Sequence, residues 1–385
     1  MKNFLYDIET KIYFGKDQIC EIGNIIPKYG NRAMLVYGGG SIKKNGIYSQ
    51  INKELLSKQI KIVELSGVEP NPQINTVRRG VSLARKNNVN VLIAVGGGSV
   101  IDCAKLIAAG VNSDYDPWEL VKNPSLIHNA LPIVTVLTIA ATGSEMDYIS
   151  VISNEETKEK IGTRHPCLRP KVSILDPTYT FSVSKYQTAS GVSDILSHAM
   201  ESYFSNEKGY FQDRMAEAIM DTVIHYGHIA ISDPDNYEAR ANIMWASSWA
   251  INDFLKLGKP VGWSVHPIEH QLSAVYDITH GVGLAILTPH WMEKILSDKT
   301  SQKISKWAQR VFNVIPENND FETAKKGIEE LKSFYKKLNI PLTLKDLKID
   351  STNFREMATK AKDQMNQCYV DLSIEDIEEI YEASL

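Results

Sequence analysis

Between residues 34 and 177, short apolar segments alternate with amphipathic helical segments, and this alternation restricts the possible folds more than any other feature of the chain. Strands that are separated by a helix need crossover connections and therefore pair in parallel. The pattern predicts an α/β domain with a mainly parallel sheet. The segments of strand length are MLVY (34–37), IKIVEL (60–65), VLIAV (91–95), LPIVTVLT (131–138) and VSIL (172–175).

After Pro177 the pattern changes, because strand-like segments disappear and apolar residues recur at helical spacing, as in DILSHAMESYF (194–204) and RMAEAIMDTVIHYG (214–227). The second half is therefore predicted to be all-helical. A length of 385 residues suits two hydrophobic cores. We place the boundary in the polar segment SVSKYQ (182–187), which gives an α/β domain over 1–182 and a helical domain over 183–385.

Composition excludes several classes of partner. The 42 Lys and Arg residues and 46 Asp and Glu residues give a net charge of −4, so we expect no nucleic acid partner. The apolar run 91–111 contains Asp102, Lys105 and three consecutive glycines, which argues against a membrane span. Residues 1–15 lack the apolar block of a secretory signal, and the four cysteines are scattered. We therefore expect a reduced, cytoplasmic protein.

A glycine-rich turn lies at 96–99, between a strand-like segment and a helical segment. Glycines let the backbone approach a pyrophosphate closely, and the N–H groups and dipole at a helix N-terminus stabilise its charge. The sequence GGGS lacks the GxGxxG spacing of the common dinucleotide fingerprint. A tight strand-to-helix connection without a ligand is therefore the alternative interpretation.

A second turn of the same type comprises Gly38, Gly39, Gly40 and Ser41. Two such turns on one parallel sheet favour a dinucleotide, since one can hold the pyrophosphate and the other can meet the adenosine end. Lys43 and Lys44 follow the second turn, where many NAD sites have an acidic residue. Their charge suits a 2′-phosphate and predicts NADP(H); two solvated surface lysines are the alternative.

A carboxylate and several histidines predict a metal site in the second half. Asp194 and His198 lie one helical turn apart, while His266, His270 and His280 fall within fifteen residues. A lone Asp-xxx-His pair is commonly a surface hydrogen bond, but the second cluster favours a metal. Three imidazoles and one carboxylate suit Fe²⁺ or Zn²⁺. Spacing alone leaves open which three of the four histidines bind.

The local sequence also predicts how these histidines are presented. Proline is favoured at the first position of a helix, so Pro267 predicts a helix that begins there with His266 at its cap. His270 would follow one turn later. His280 precedes a nearly uncharged run and is predicted to start a buried helix.

Taken together, these segments make the chain resemble the iron-containing (group III) alcohol dehydrogenases, within them the NADPH-dependent butanol dehydrogenase-like branch. The resemblance covers nearly the whole chain and implies the two-domain fold of the dehydroquinate synthase-like enzymes, as well as a homodimer. Its carriers are YGGGSIKKNG (37–46), GVEPNP (67–72), GGGSVIDCAK (96–105), ATGSEM (141–146), VISN (151–154), SDILSHAMESYF (193–204) and HPIEHQLSAVYDITHG (266–281).

The resemblance also implies roles for individual residues. It assigns the metal ligands, which would hold Fe²⁺ or Zn²⁺, and it leaves His270 beside the nicotinamide and the reacting oxygen. It further assigns the contacts of NADP(H) with the pyrophosphate and with the nicotinamide and its ribose. The metal ligands are Asp194, His198, His266 and His280; the pyrophosphate contacts are Gly97, Gly98, Ser99 and Asp102; the nicotinamide contacts are Thr138, Thr142 and Lys160.

Two positions leave questions open at this stage. Lys158 competes with Lys160 for the nicotinamide position. Asp147 stands where many members of the family have asparagine, so a carboxylate replaces a neutral amide near the cofactor; the effect on cofactor affinity and on its pH dependence stays open.

The function that the resemblance implies is reversible reduction of a small aldehyde to a primary alcohol, with butanal and butanol as examples. The alternative is a sugar-phosphate cyclase or lyase of the same fold that uses the nicotinamide transiently. Such an enzyme needs Lys and Arg around the metal to hold a phosphate, and the segments beside the predicted ligands contain neither. A metal-dependent hydrolase and a non-catalytic binding protein are further alternatives.

Overall fold

The structure, a computed structural model, describes residues 1–385 in two units. One unit is Asp7–Val183, and the other is Ser184–Leu385 together with Met1–Tyr6. The first six residues thus group with the helical unit, whereas the sequence-based boundary assigns them to the α/β domain. One bond that ties them there runs from the Lys2 N–H to the Gly258 carbonyl at 2.8 Å.

The first unit is an α/β domain, as the alternating pattern predicts. Its amphipathic helices bury one face; in α3, for example, the fully buried residues Ile47, Ile51 and Leu55 recur every four positions. In chain order its elements are β1 (Lys11–Phe14), α1 (Ile22–Ile25), β2 (Arg32–Tyr37), α2 (Ser41–Lys44), α3 (Ile47–Ser57), β3 (Lys61–Leu65), α4 (Ile74–Lys86), β4 (Val91–Gly96), α5 (Gly98–Val111), α6 (Pro117–Lys122), β5 (Ile133–Leu137), β6 (Ile149–Asn154), β7 (Glu159–Arg164) and β8 (Val172–Leu175).

Six strands form one sheet in the order β1-β8-β5-β4-β2-β3, and every neighbouring pair is parallel. All five predicted strands belong to it, which confirms the predicted fold class. Strands β2 and β4 are neighbours, with Tyr37 opposite Val95. The glycine turns that follow these strands therefore leave the same edge of the sheet side by side.

Three strands lack a clear sequence signal. Strand β1 has the burial pattern of an exposed edge, so it has no run of buried apolar residues. Strands β6 and β7 form a separate antiparallel hairpin, in which Ile152 lies opposite Ile161. Polar residues are mixed with apolar ones along this hairpin without a regular alternation, and such short strands are difficult to recognise from sequence.

The second unit contains helices and no β-strand, as predicted. Helix α7 is buried along most of its length and packs against α8, α9 and α11. None of the helices in the chain combines the length and apolar character that a membrane crossing requires. The helices are α7 (Lys185–Tyr203), α8 (Tyr210–Ser232), α9 (Tyr237–Ile251), α10 (Val265–Tyr276), α11 (His280–Ile295), α12 (Ser301–Val311), α13 (Asp320–Lys337), α14 (Phe354–Gln364) and α15 (Ile374–Ala383).

Helix α10 begins earlier than predicted. It starts at Val265, so His266 lies within its first turn and Pro267 is its third residue. Proline is compatible with this position because the N–H groups of the first turn have no partner within the helix. His280 is the first residue of α11, as predicted.

Candidate metal and cofactor sites

Helix α7 supplies a carboxylate and an imidazole that face each other. Asp194 and His198 are 3% and 4% exposed, and their i,i+4 spacing places them on one face of the helix. The Asp194 Oδ1 and His198 Nε2 atoms are 3.4 Å apart. Both side chains therefore lie in the interior of the helical unit, and neither forms the solvated surface pair that such a spacing often indicates.

Two more imidazoles approach the same carboxylate oxygen from α10 and α11. The Nε2 atoms of His266 and His280 each lie 3.7 Å from Asp194 Oδ1. His266 is buried, whereas His280 is partly exposed. The fold thus brings together all four residues that the resemblance assigns as ligands, from three helices that are distant in sequence.

The geometry of this cluster fits a shared divalent cation. Two ligands that bind one tetrahedral ion at about 2.1 Å are separated by about 3.4 Å, close to the 3.4–3.7 Å between Asp194 Oδ1 and each imidazole Nε2. Donor atoms of Asp194, His198 and His266 also all lie within 4.8 Å of one another. Asp194 Oδ1 and His266 Nε2 are buried and have no hydrogen-bond partner. Such orphaned polar atoms are costly unless another group, such as a metal ion, satisfies them. Nitrogen and oxygen donors in this number suit Zn²⁺ or Fe²⁺.

The protein alone already biases the charges of these groups. Burial by itself would raise the pKa of Asp194, but His198, His266 and His280 together hold that pKa below its usual value. Burial lowers the pKa of His198 to about 3 against the opposing effect of Asp194, which keeps this imidazole neutral. Burial would also lower the pKa of His266, yet Glu201 and Asp194 raise it to about 9. The cluster therefore attracts positive charge, which a divalent cation would supply.

His270 lies beside the ligand cluster. It follows His266 by one turn of α10, and its ring centroid is 5.4 Å from that of His280 and 6.2 Å from that of His266. A donor atom of His270 lies within 4.8 Å of donor atoms of both Glu269 and His280. The structure thus places the fourth histidine adjacent to the cluster.

Two buried glutamates that the sequence did not predict touch this cluster. Glu201, 2% exposed, contacts His266 Nδ1, and Glu269, fully buried, contacts His280 Nδ1. Glu201 lies seven residues after Asp194 on α7, so helical spacing could have identified it on the same face. No comparable signal marks Glu269, because its contact depends on how α10 and α11 pack.

In the first unit, the glycine turn after β4 gathers several predicted cofactor residues. Gly97 caps α5 without a side-chain hydrogen bond, and a Cβ added to Gly98 would overlap the Thr142 side chain. The Thr138 N–H donates to the Gly96 carbonyl at 3.0 Å. The Ser99 hydroxyl donates to the Pro70 carbonyl, which ties the start of α5 to the neighbouring loop.

The turn after β2 is more open. A Cβ added to Gly39 or Gly40 would meet no atom within 4 Å, whereas one at Gly38 would lie 3.3 Å from the Val68 carbonyl. Gly40 has a φ of +96°, a left-handed conformation that favours glycine. Ser41 begins the short helix α2. This turn therefore has space beside its backbone that a ligand could fill.

Lys43 is engaged with an acidic residue that the sequence analysis overlooked. Its Nζ lies 3.3 Å from Glu64 Oε2, near the end of β3. The hydroxyls of Tyr37 and Tyr48 also donate to the Glu64 carboxylate, at 2.6 and 2.5 Å. The contact with Tyr37 and the pairing with Glu64 raise the pKa of Lys43.

Asp147 forms an ion pair with a buried lysine. Its Oδ1 lies 2.5 Å from Nζ of the fully buried Lys105, so its charge is balanced inside the unit. Lys105 also donates to Ser144 Oγ at 2.8 Å, and Ser144 donates to Asp102 at 2.5 Å. The Val151 N–H donates to Asp102 as well. Asp102 therefore links α5 to β6 through its carboxylate.

The two competing lysines differ in burial. Lys160 lies on β7 and is 5% exposed, whereas Lys158 is exposed in the turn before it with a φ of +50°. A buried lysine must be held by other groups, while the exposed one is free to point into solvent. The structure thus places Lys160 in the interior and Lys158 at the surface.

Comparisons with known proteins cover both units. The iron-containing alcohol dehydrogenase model matches residues 9–177, and the C-terminal model of the same family matches residues 188–385. The chain is 54% identical over 362 residues to the NADH-dependent butanol dehydrogenase A of Clostridium acetobutylicum, covering 94% of this chain and 93% of that protein. It is 36% identical to the NADPH-dependent aldehyde reductase YqhD of Escherichia coli, with 100% of each chain covered.

A solved structure gives the same result for the fold. The NADH-dependent butanol dehydrogenase A of Thermotoga maritima is 39% identical, with a TM-score of 0.95 that covers 100% of this chain and 99% of that one. The parallel sheet, the helical second unit and the matches to both family models lead to one conclusion: the chain belongs to the iron-containing alcohol dehydrogenase family.

Proposed function

We propose that this protein is a metal-dependent alcohol dehydrogenase that transfers a hydride between NADP(H) and a small primary alcohol or aldehyde. The observation that carries the proposal is the convergence of three imidazole Nε2 atoms on Asp194 Oδ1 at 3.4–3.7 Å. The butanol dehydrogenases and the aldehyde reductase among its relatives support the same substrate class.

Asp194, His198, His266 and His280 are the proposed metal ligands. When bound there, Fe²⁺ or Zn²⁺ supplies a Lewis acid for a carbonyl oxygen. A bound nicotinamide would supply the hydride for the new C–H bond in the reductive direction, with the carbonyl π electrons going to oxygen. His270 then gives a proton to that oxygen, a role that suits an imidazole near neutral pH.

The proposed cofactor contacts follow the two glycine turns. Gly97, Gly98 and Ser99 would hold the pyrophosphate at the start of α5, with Asp102 one turn further along. Thr138, Thr142 and Lys160 would meet the nicotinamide and its ribose. The burial of Lys160 and the exposed turn position of Lys158 support the choice of Lys160.

A preference for NADP(H) is part of the proposal. Gly38, Gly39, Gly40 and Ser41 would face the adenosine end, and the half-exposed Lys43 ammonium would add a 2′-phosphate to its contact with Glu64. An acidic residue at a strand end can instead accept the ribose 2′-hydroxyl of NAD, and Glu64 lies near such an end. Its carboxylate already accepts two tyrosine hydroxyls and contacts Lys43, which argues against that role.

The relatives include enzymes that use either cofactor. The butanol dehydrogenases of Clostridium acetobutylicum and Thermotoga maritima are NADH-dependent, and the Escherichia coli aldehyde reductase is NADPH-dependent. Cofactor preference must therefore be measured for this chain. A homodimer is also proposed, with the family resemblance as its support.

A sugar-phosphate cyclase is less well supported. Lys256 lies over the Trp263 ring, close enough to the site to lower the pKa of His198 slightly. However, its ammonium pairs with Asp253 at 2.9 Å, so its charge is largely balanced. The relatives described above are butanol dehydrogenases and an aldehyde reductase, and none is a sugar-phosphate cyclase.

The deciding experiment follows nicotinamide absorbance with butanal after metal removal and separate addition of Fe²⁺ or Zn²⁺. We expect turnover only after metal addition, and faster turnover with NADPH than with NADH. A faster rate with NADH would refute the cofactor preference alone. Absence of aldehyde-dependent oxidation with either metal and either cofactor would refute the proposed function.

A further inference from the structure

We propose that Glu201 and Glu269 are positioning residues of the metal site. Each holds Nδ1 of one histidine so that Nε2 of the same ring faces Asp194. This inference rests on the proposed function, because it concerns the same metal site. It assigns roles to two buried carboxylates that are not themselves proposed ligands.

Glu201 fixes both the ring of His266 and the helix that carries it. One carboxylate oxygen accepts the Ser264 N–H and, at 2.6 Å, the Val265 N–H. The other accepts the His266 N–H at 3.4 Å and contacts His266 Nδ1. These N–H groups lie at the start of α10, so a side chain of α7 supplies the N-terminal cap that α10 lacks in its own sequence. One side chain therefore couples the position of the helix to the orientation of its first ligand.

Glu269 plays the corresponding part for His280. Its Oε2 contacts His280 Nδ1, and its Oε1 accepts the Ser273 hydroxyl at 2.5 Å. The side chain is fully buried, and a Cβ added to Gly283 would lie 2.8 Å from its Cγ. Gly283, one turn into α11, thus provides the space in which Glu269 reaches His280.

These contacts determine which ring nitrogen can bind a metal. An ionised carboxylate only accepts hydrogen bonds, so Nδ1 of His266 and of His280 must carry a proton. The Nε2 atom of a neutral ring then presents its lone pair, and this atom lies 3.7 Å from Asp194 Oδ1 in both cases. Carboxylates that hold metal-binding histidines in this way usually strengthen metal binding.

His198 provides an internal contrast. Its Nδ1 is buried and has no hydrogen-bond partner, so no carboxylate sets its tautomer. Its ring instead stacks on His266, with centroids 4.7 Å apart and planes 14° apart, and meets Trp263 edge to face at 5.7 Å. The orientation of His198 therefore depends on packing against a ring that Glu201 fixes. Loss of Glu201 should disturb two ligands, and loss of Glu269 only one.

Substitution by glutamine tests this role with little change in shape. Glutamine has one amide oxygen and one NH₂ group, so it cannot accept both from the backbone N–H groups and from His266 Nδ1. If the oxygen keeps the backbone contacts, the NH₂ group faces Nδ1 and forces the proton onto Nε2, the atom that must bind the metal. Glu201→Gln should therefore weaken binding of Zn²⁺ by about 10- to 100-fold. Glu269→Gln can still accept from His280 Nδ1, with its NH₂ group on the Ser273 hydroxyl, so it loses only the carboxylate charge and should weaken Zn²⁺ binding less, by about 10-fold.

The measurement is the Zn²⁺ affinity of the full-length protein, from competition with a chromophoric chelator, together with thermal unfolding of the metal-free form. Glu217→Gln is the matched control, because Glu217 is also buried in the helical unit but contacts Tyr203, Arg214 and Arg310 instead. We expect this control to retain wild-type Zn²⁺ affinity even if it unfolds at a lower temperature.

Zn²⁺ affinities within twofold of the wild type in both glutamine variants would overturn the inference, because a purely structural role changes unfolding and not metal affinity. If Glu201→Gln does not fold, Glu269→Gln and Glu201→Asp decide, with weaker Zn²⁺ binding expected in each. A wild-type protein that binds no Zn²⁺ or Fe²⁺ would instead refute the proposed function. The two failures are thus distinguishable.

Discussion

Replacing Asp102 with asparagine should change how the stability of the α/β unit depends on pH. Burial raises the pKa of Asp102 to about 6 from an ordinary 3.8; Lys105 opposes this shift, and the charge of Asp147 adds to it. Between these values the folded protein binds a proton that the unfolded chain has released. The contribution of Asp102 to the free energy of unfolding is therefore greatest below pH 4, and it is lost as the pH rises through about 6.

The size of the effect follows from the shift. A difference of 2.2 pKa units between 3.8 and about 6 corresponds to about 3 kcal/mol. Roughly half of this stabilisation, about 1.4 kcal/mol, is lost between pH 5 and pH 8. A loss of this size changes the equilibrium constant for opening of the region around Asp102 by about tenfold. Asparagine cannot ionise, so the Asp102→Asn variant should lack this component.

Cys103 provides a local assay. It follows Asp102 on α5 and is fully buried, so a thiol reagent can modify it only when this region opens. The labelling rate of Cys103 in the folded protein, divided by the rate in urea at the same pH, gives the opening equilibrium. Mass spectrometry of the resulting peptides separates Cys103 from the other cysteines.

Relative to the wild type, the protection of Cys103 in Asp102→Asn should increase by about tenfold between pH 5 and pH 8. Asp114→Asn, which removes the charge of an exposed aspartate in the same unit, is the control and should behave like the wild type. A ratio between Asp102→Asn and wild type that stays constant over this range would refute the argument.

Three further predictions concern the proposed sites. Gly39→Ala should fold normally but bind NADPH more weakly in a fluorescence titration, and unchanged NADPH affinity would argue against a ligand beside Gly39. Gly98→Ala should lose about 1–3 kcal/mol of stability, because its Cβ overlaps the Thr142 side chain. His198→Ala should lose bound metal and turnover together, whereas His270→Ala should keep the metal and lose about 10²- to 10⁴-fold in turnover. Metal analysis and steady-state rates check both variants. Wild-type turnover in either variant would contradict the role proposed for that histidine. Lys43→Ala should raise the KM for NADPH more than the KM for NADH; an equal change would mean that no 2′-phosphate meets this lysine.

The sequence predicted those parts of the fold in which burial leaves a strong local pattern. Strand β4 is buried at every position, so VLIAV was recognisable without any knowledge of its neighbours. Strand β1 has no buried residue, and polar residues interrupt the apolar ones in the β6–β7 hairpin, so neither contains a run of buried apolar residues. The start of α10 was misplaced because its cap comes from Glu201, which is more than sixty residues earlier in the chain.

In the candidate sites too, features encoded by local sequence were predictable, and features that depend on distant residues were not. Asp194 and His198 share one helix, so their proximity was predictable from spacing, and the resemblance supplied His266 and His280. Pairings that arise only in three dimensions were missed, such as the Lys43–Glu64 contact at 3.3 Å. The pairing of Asp147 with Lys105 was missed for the same reason, because Lys105 lies on another element and is fully buried.

The central claim is that four side chains from α7, α10 and α11 hold one cation. X-ray absorption at the zinc edge, on protein reconstituted with one equivalent of Zn²⁺, tests it most directly. The account predicts three imidazole nitrogens and one carboxylate oxygen at about 2.0–2.2 Å, with one imidazole fewer in the His280→Ala variant. A zinc ion bound by sulfur or by fewer than three imidazoles in the wild type would contradict it.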